Sequence, residues 1–150
     1  MKINHNPKIF MFDTPGILEP SVSDVEMGLK LALCASLQDH LVGEEVIADY
    51  LLYWLNSHAK FKYVDYMGLE EPCDDIQKVL IAGAIKFNRV RTVRDFDGTV
   101  RDVPDLLEVA KTMIKAFRTG ELGKILLDID LLTQRFKGQI QQELEAETSV

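Results

Sequence analysis

Little in this chain offers ready-made chemistry. Two cysteines occur in 150 residues, Cys34 and Cys73. Neither has a second Cys or a His at metal-ligand spacing, so they read as small, half-buried thiols of a reducing compartment. The histidines His5, His40 and His58 have no partner arrangement for catalysis or metal binding, and His40 reads as a capping or packing residue ahead of a helix. No run of about 18 apolar residues is present, so no membrane span is expected. No apolar signal core and no Arg/Ser-rich presequence opens the sequence. Positive charge is also scarce: 17 basic against 24 acidic residues give −7, which argues against a protein that simply coats nucleic acid.

What is there is ordinary globular composition, 47% apolar and 27% charged. The charge is unevenly spread. Residues 1–75 hold 5 basic and 13 acidic side chains, net −8, whereas residues 76–124 hold 10 and 6, net +4. A polyanion, if one binds, binds in the second stretch.

Ile9-Phe10-Met11-Phe12 is a short apolar run between Pro7 and Pro15-Gly16, the pattern of a buried strand of a parallel sheet. A lone buried strand leaves main-chain groups unpaired. No later segment offers a matching partner, so its sheet is expected to belong to residues outside this sequence. Beyond it the pattern is helical. Ser23-Asp24-Val25-Glu26 reads as a capping box with Ser23 as the cap, ahead of Val25, Leu29, Ala32, Leu33 and Leu37 at helical spacing. A second helix is predicted from Gly43 to His58, burying Val46, Ile47, Tyr50, Leu51, Trp54 and Leu55. A third starts at Asp74 or Asp75 and buries Ile76, Val79, Leu80, Gly83, Ala84 and Phe87. A fourth follows Val103-Pro104, with Pro104 in its first turn. It buries Leu106, Leu107, Ala110, Met113, Ile114 and Phe117, and Gly120 stops it. Between the last two, Arg89 to Asp102 reads equally as a hairpin turning at Asp97-Gly98 or as an ordered loop. Leu122–Leu132 is apolar enough to pack back, with Asp128 and Asp130 on its wet side rather than at a metal. Residues 136–150 read as a flexible acidic tail.

Asp13-Thr14-Pro15-Gly16 follows the predicted strand and has the Asp-x-x-Gly pattern of nucleotide triphosphatases. An Asp at a strand's carboxyl end can hold Mg²⁺ through a water, and a Gly three residues on lets its amide approach a γ-phosphate. The plainer alternative is a strand ending in a Pro-Gly turn. A phosphate-cradling Gly-x-x-x-x-Gly-Lys-Ser/Thr loop occurs nowhere in residues 1–150, and no Asn-Lys-x-Asp guanine reader follows. A genuine Asp13–Gly16 motif therefore requires the guanine reader to come earlier, in circularly permuted order.

That motif is followed in order by Gly28-Leu29-Lys30-Leu31-Ala32-Leu33-Cys34, Asp39-His40-Leu41-Val42-Gly43-Glu44-Glu45, Ala48-Asp49-Tyr50-Leu51-Leu52-Tyr53 and Phe117-Arg118-Thr119-Gly120-Glu121-Leu122-Gly123. Together these resemble the circularly permuted GTPases of ribosome assembly, the family of bacterial ribosome biogenesis GTPase A, in its mitochondrial branch. The resemblance runs from about residue 8 to about residue 132. It implies a mainly α chain: one terminal strand and switch of an incomplete α/β P-loop GTPase domain (residues 1–38), then an all-α ribosome- and RNA-binding domain (39–135). It also implies GTP and Mg²⁺ as cofactors, contacted at Asp13, Thr14, Pro15 and Gly16, with Asp13 on the metal. Ile17 stands where many GTPases place a catalytic Gln. The implied partners are the mitochondrial large ribosomal subunit and its rRNA, not DNA. The implied place is the mitochondrial matrix, peripheral on the inner membrane, and the implied role is large-subunit assembly and regulation of translation.

Because the phosphate loop and guanine reader are absent, this sequence is expected to be the carboxyl-terminal part of such a protein and inactive alone. The alternative is a non-enzymatic helical module that binds rRNA or protein. For RNA contact the expected residues are Arg89, Arg91 and Arg94 in the loop, and Lys111, Lys115 and Arg118 on one face of the fourth helix. Asp95, Asp97, Asp102 and Asp105 partly offset them, so a solvated face is the competing reading. Few aromatics lie among these basic residues, and base stacking is not expected there.

Overall fold

The computed structural model describes residues 24–130 and 133, together with the backbone of 2–5 and 8–10. Strands β1 (Lys2–His5) and β2 (Lys8–Phe10) pair antiparallel, with His5 opposite Lys8 and Lys2 opposite Phe10. The strand predicted for a parallel sheet thus finds its partner immediately upstream in sequence. Unpaired main-chain donors take the nearest available ladder, and residues 2–5 supply it.

The helical part is built on α3 (Glu44–Ser57), which packs against α1 (Val25–Leu33), α2 (Asp39–Val42), α5 (Ile76–Lys86) and α6 (Leu106–Arg118). Its buried stripe is Ile47, Ala48, Leu51, Leu52, Trp54 and Leu55. Val46, predicted inside, is 53% exposed. It lies on the flank of a stripe that Ala48 and Leu52 extend the other way. The cap of α1 is Asp24 rather than Ser23: its carboxylate accepts the Glu26 amide at 2.8 Å. Asp75 caps α5 and Asp105 caps α6, each accepting amides of the first turn. Pro104 is the last residue of a strand, not a first-turn proline. Gly120 follows α6 at φ +79, the left-handed conformation that lets the chain leave a helix.

Two short helices, α2 and α4 (Lys62–Met67), were not predicted; neither is long enough to show a repeating stripe. The larger correction concerns the all-α domain. Residues Val90–Arg94 (β3) and Val100–Pro104 (β4) form a regular antiparallel hairpin, so the domain is helical with one β-hairpin inserted between α5 and α6. The Asp105 amide donates to the Arg89 carbonyl at 3.0 Å and closes its base.

One core joins the elements. Ala32 and Leu33 of α1 lie in the same buried cluster as α3, Tyr63, Val64 and Met67 of α4, Val79 and Leu80 of α5, and Val109, Met113 and Ile114 of α6. Leu122 and Leu127 pack back onto it as expected. Gly83 is needed for the α5 crossing, since a Cβ there would lie 2.5 Å from Met67 Cε and 2.7 Å from Val109 Cγ1.

Fully buried Tyr63 holds the long α4–α5 connection. Its hydroxyl accepts the Cys73 amide at 3.0 Å and donates to Asn56 Oδ1 at 2.7 Å, while Asn56 Nδ2 donates to the Cys73 carbonyl and to Asp74. Tyr63→Phe leaves that amide and amide oxygen without partners at almost unchanged volume. It is expected to cost about 2 kcal/mol, read as a lower urea midpoint at constant m-value.

Candidate functional site

The predicted nucleotide contacts Asp13, Thr14, Pro15 and Gly16 lie outside the described residues. Among the described residues no three His, Cys, Asp or Glu side chains gather in a metal-binding group. No helix among them is long and apolar enough to cross a membrane.

The six predicted RNA contacts do not form one surface. The register sets Arg91 opposite Val103 and Val93 opposite Arg101, so these four share one face of the hairpin. That face closes a shallow groove of about 360 Å³ with Glu45, Leu106 and Leu107 at the α3 and α6 starts. Arg94, opposite Val100, belongs to the other face with Val90, Thr92 and Asp102. Arg89 sits at the hairpin's base. Among the described residues, Arg89, Arg91, Arg94 and Lys115 are exposed and have no ion-pair partner, whereas Arg101 is paired with Asp95 at 3.1 Å. Lys111 is exposed but bonded to Glu108 at 2.9 Å, which raises its pKa.

Arg118 does not join this surface. Its guanidinium grips Asp39 through two bonds, Nη1 to Oδ2 at 2.9 Å and Nη2 to Oδ1 at 2.6 Å. It also donates to the Leu33 carbonyl at 3.0 Å and the Ala32 carbonyl at 2.7 Å, the open C-terminal end of α1. Four of its five donors are thus used inside the fold. Helical spacing alone sets it on a face with Lys111 and Lys115. What spacing could not reveal was a partner 79 residues away.

Of the histidines and cysteines, His58 and Cys73 take part in packing and hydrogen bonding. The His58 ring stacks on Trp54 at 3.9 Å and meets Asp130 at 3.2 Å; His40, expected to cap or pack, instead lies exposed within α2, whose cap position is Gln38. Cys34 is exposed rather than half-buried, and Cys73 is half-buried as expected. Asp128 is bound to Lys30 at 3.4 Å, which fits the wet-side reading of Asp128 and Asp130. Burial lowers the Lys30 pKa, but its bonds to Glu26 and Asp128 outweigh this and leave it raised.

A second groove, of about 620 Å³, was not anticipated. Leu29 of α1, Val46, Asp49, Tyr50 and Tyr53 of α3, and Asp74 line it. Burial and the neighbouring Glu26 carboxylate push the Tyr50 phenol well above its ordinary pKa, so it stays a neutral donor to that carboxylate.

No protein-family model matches the chain. Named relatives do. The chain is 55% identical over 130 residues to a protein named mitochondrial GTPase 1 from Aedes aegypti, covering 87% of this chain and 41% of that protein. It is 45% identical over 132 residues to one named mitochondrial ribosome-associated GTPase 1 from Xenopus tropicalis, covering 85% and 42%. With the Bos taurus protein of the same name it shares 46% over 138 residues, covering 90% and 42%. The chain therefore spans about two-fifths of the length of these relatives.

Proposed function

We propose that this chain, a homologue over most of its length of proteins named mitochondrial ribosome-associated GTPase 1, is part of a GTP-binding and GTP-hydrolysing factor. The factor would assemble the mitochondrial large ribosomal subunit and regulate mitochondrial translation. It would work in the matrix, peripherally on the inner membrane. In a circularly permuted GTPase domain, Asp13 would hold Mg²⁺ through a water and Gly16 would bring its amide to the γ-phosphate, with Thr14 and Pro15 shaping the turn. Residues 1–150 lack the phosphate loop and guanine reader, so their own side chains do not complete a nucleotide site. The second reading, a non-enzymatic rRNA- or protein-binding module, rests on that same absence.

The ribosome-facing part would be residues 39–135, with 1–38 completing the GTPase domain. The observation that supports this best is that the hairpin of an otherwise acidic chain carries exposed arginines without ion-pair partners among the described residues, Arg91 on one face and Arg94 on the other, with Arg89 at its base. Guanidinium groups suit RNA phosphates, and backbone contact is how structured RNA is mainly held. Lys115 and, more weakly, Lys111 would extend the surface. Arg118 would act behind it by fixing α1, the helix that follows the Asp13–Gly16 segment.

Reversing Arg89, Arg91 and Arg94 to Glu is expected to weaken association with large mitochondrial subunits at least tenfold at about 0.15 M salt. The slope of log affinity against log salt should fall by about 2 to 3. Melting temperature should stay unchanged, because all three side chains are exposed. Association that survives the triple reversal at every salt concentration would remove the hairpin from the interface.

A further inference from the structure

Phe96 has a relative exposure of 113%, the largest among the exposed apolar side chains of the described residues. Single exposed apolar residues are common and need no explanation on their own. This one differs in how firmly it is presented. Asp95 donates its amide to the Thr99 carbonyl at 2.8 Å, and Gly98 donates to the Asp95 carbonyl at 3.0 Å. The Thr99 amide binds Asp97 Oδ1 at 2.9 Å, and Gly98 takes φ +84, where a side chain would be strained. Below the turn five residue pairs run in unbroken register. The ring therefore stands at the end of an ordered stalk of five paired residues.

The chemistry around the ring narrows its partner. Its sequence neighbours Asp95, Asp97, Gly98 and Thr99 are polar or side-chain-free, and Val100, exposed in the strand pair below the turn, supplies only a small part of the apolar rim that surrounds an aromatic anchor in a protein interface. The hairpin's carboxylates are occupied by its own donors: Asp95 by Arg101, Asp97 by Thr99, and Asp102 by the Thr92 hydroxyl at 2.7 Å. What remains on offer at the tip is one π face together with the guanidinium group of Arg94. Stacking on a base needs only such a face, and donors to flanking phosphates supply the rest.

We propose that Phe96 is a base-stacking residue: the hairpin tip inserts its ring against an unpaired base of ribosomal RNA, while Arg94, two residues from the ring, holds an adjoining phosphate. This rests on the RNA-contact reading above and departs from the expectation that no stacking occurs on this patch. It assigns the tip a contact with an unpaired base, since the bases of an A-form duplex are inaccessible to a ring of this size.

The test is binding of the full 150-residue chain to protein-free large-subunit mitochondrial rRNA. Phe96→Ala is expected to weaken it about tenfold or more without altering the salt slope, and Phe96→Trp to retain it. Phe96→Leu, similar in apolar bulk but without a π face, should behave as the alanine variant does. Because the ring makes no packing contact, all three should melt with the wild type. Full binding by the leucine or alanine variant overturns the stacking. So does a loss confined to intact subunits with protein-free rRNA binding unchanged, which would point to a ribosomal protein instead. If the wild-type chain itself fails to bind the rRNA, the RNA-contact reading falls with it. If Phe96→Ala binds normally and the triple arginine reversal does not, only the stacking falls.

Discussion

Arg118→Ala is expected to destabilise the fold by about 3 kcal/mol, the largest effect of any single truncation of a polar side chain here. The Arg118 and Asp39 side chains are 28% and 27% exposed, so the pair is neither bathed in water nor fully dry. A dry pair broken on one side costs about 3–5 kcal/mol, and partial solvation reduces this. Added to it is the Leu33 carbonyl at the end of α1, which loses its donor, while the Ala32 carbonyl keeps the Ala35 amide at 2.9 Å. A loss of this size should lower the melting temperature by about 10–20 °C for a domain of this length. Arg118→Lys keeps the charge, but one ammonium cannot span four acceptors, and less than half of the loss should be recovered. Hydrogen exchange separates this from a general weakening: amides of α1 should lose more protection than those of central α3. An Arg118→Ala variant within about 0.5 kcal/mol of wild type would show that the clamp contributes nothing.

That clamp also marks how far the sequence could be read. The stripes of α3, α5 and α6 were legible in outline because each helix buries one face for three turns or more, though on α6 Leu107, predicted inside, is 38% exposed and Val109 and Ala116 are buried instead. Asp75 was legible as a cap because capping is local chemistry. Val46 was misplaced because an apolar residue on the flank of a stripe obeys the same spacing whether covered or bare. The hairpin was half legible: Asp97-Gly98 signals the turn, but Val90, Arg91, Thr92 and Val93 do not alternate cleanly between apolar and polar. A two-stranded ribbon mostly exposed on one face and only partly covered on the other imposes little such alternation. Phe96 stood in plain view between two aspartates beside a turn glycine, a position with nothing to bury it. Arg118 gave no signal, since its partner Asp39 is remote in sequence and only the packing of α6 against α1 brings them together.

The Asp13–Gly16 motif was the clearest functional feature of the sequence, and it leads to the second large effect. Residues 1–150 alone are expected to bind GTP more weakly than about 1 mM, against about 1 μM for a longer form carrying the upstream motifs. That is a difference of about 4 kcal/mol. The reason is geometric. Most of a nucleotide's phosphate binding comes from consecutive main-chain amides of a glycine-rich loop and from its lysine, and no such loop exists in this sequence. An Asp acting on Mg²⁺ through a water and one glycine amide contribute only when the phosphates are already held. Asp13→Ala should therefore leave the nucleotide behaviour of this chain unchanged, yet abolish Mg²⁺-dependent hydrolysis in the longer form. Equilibrium titration with a fluorescent GTP analogue, with and without Mg²⁺, checks both arms. Micromolar affinity in residues 1–150 would mean that this chain holds phosphates by a route that no loop in its sequence describes. Asp13 would then have to be reassigned from half of a shared site to part of a complete one.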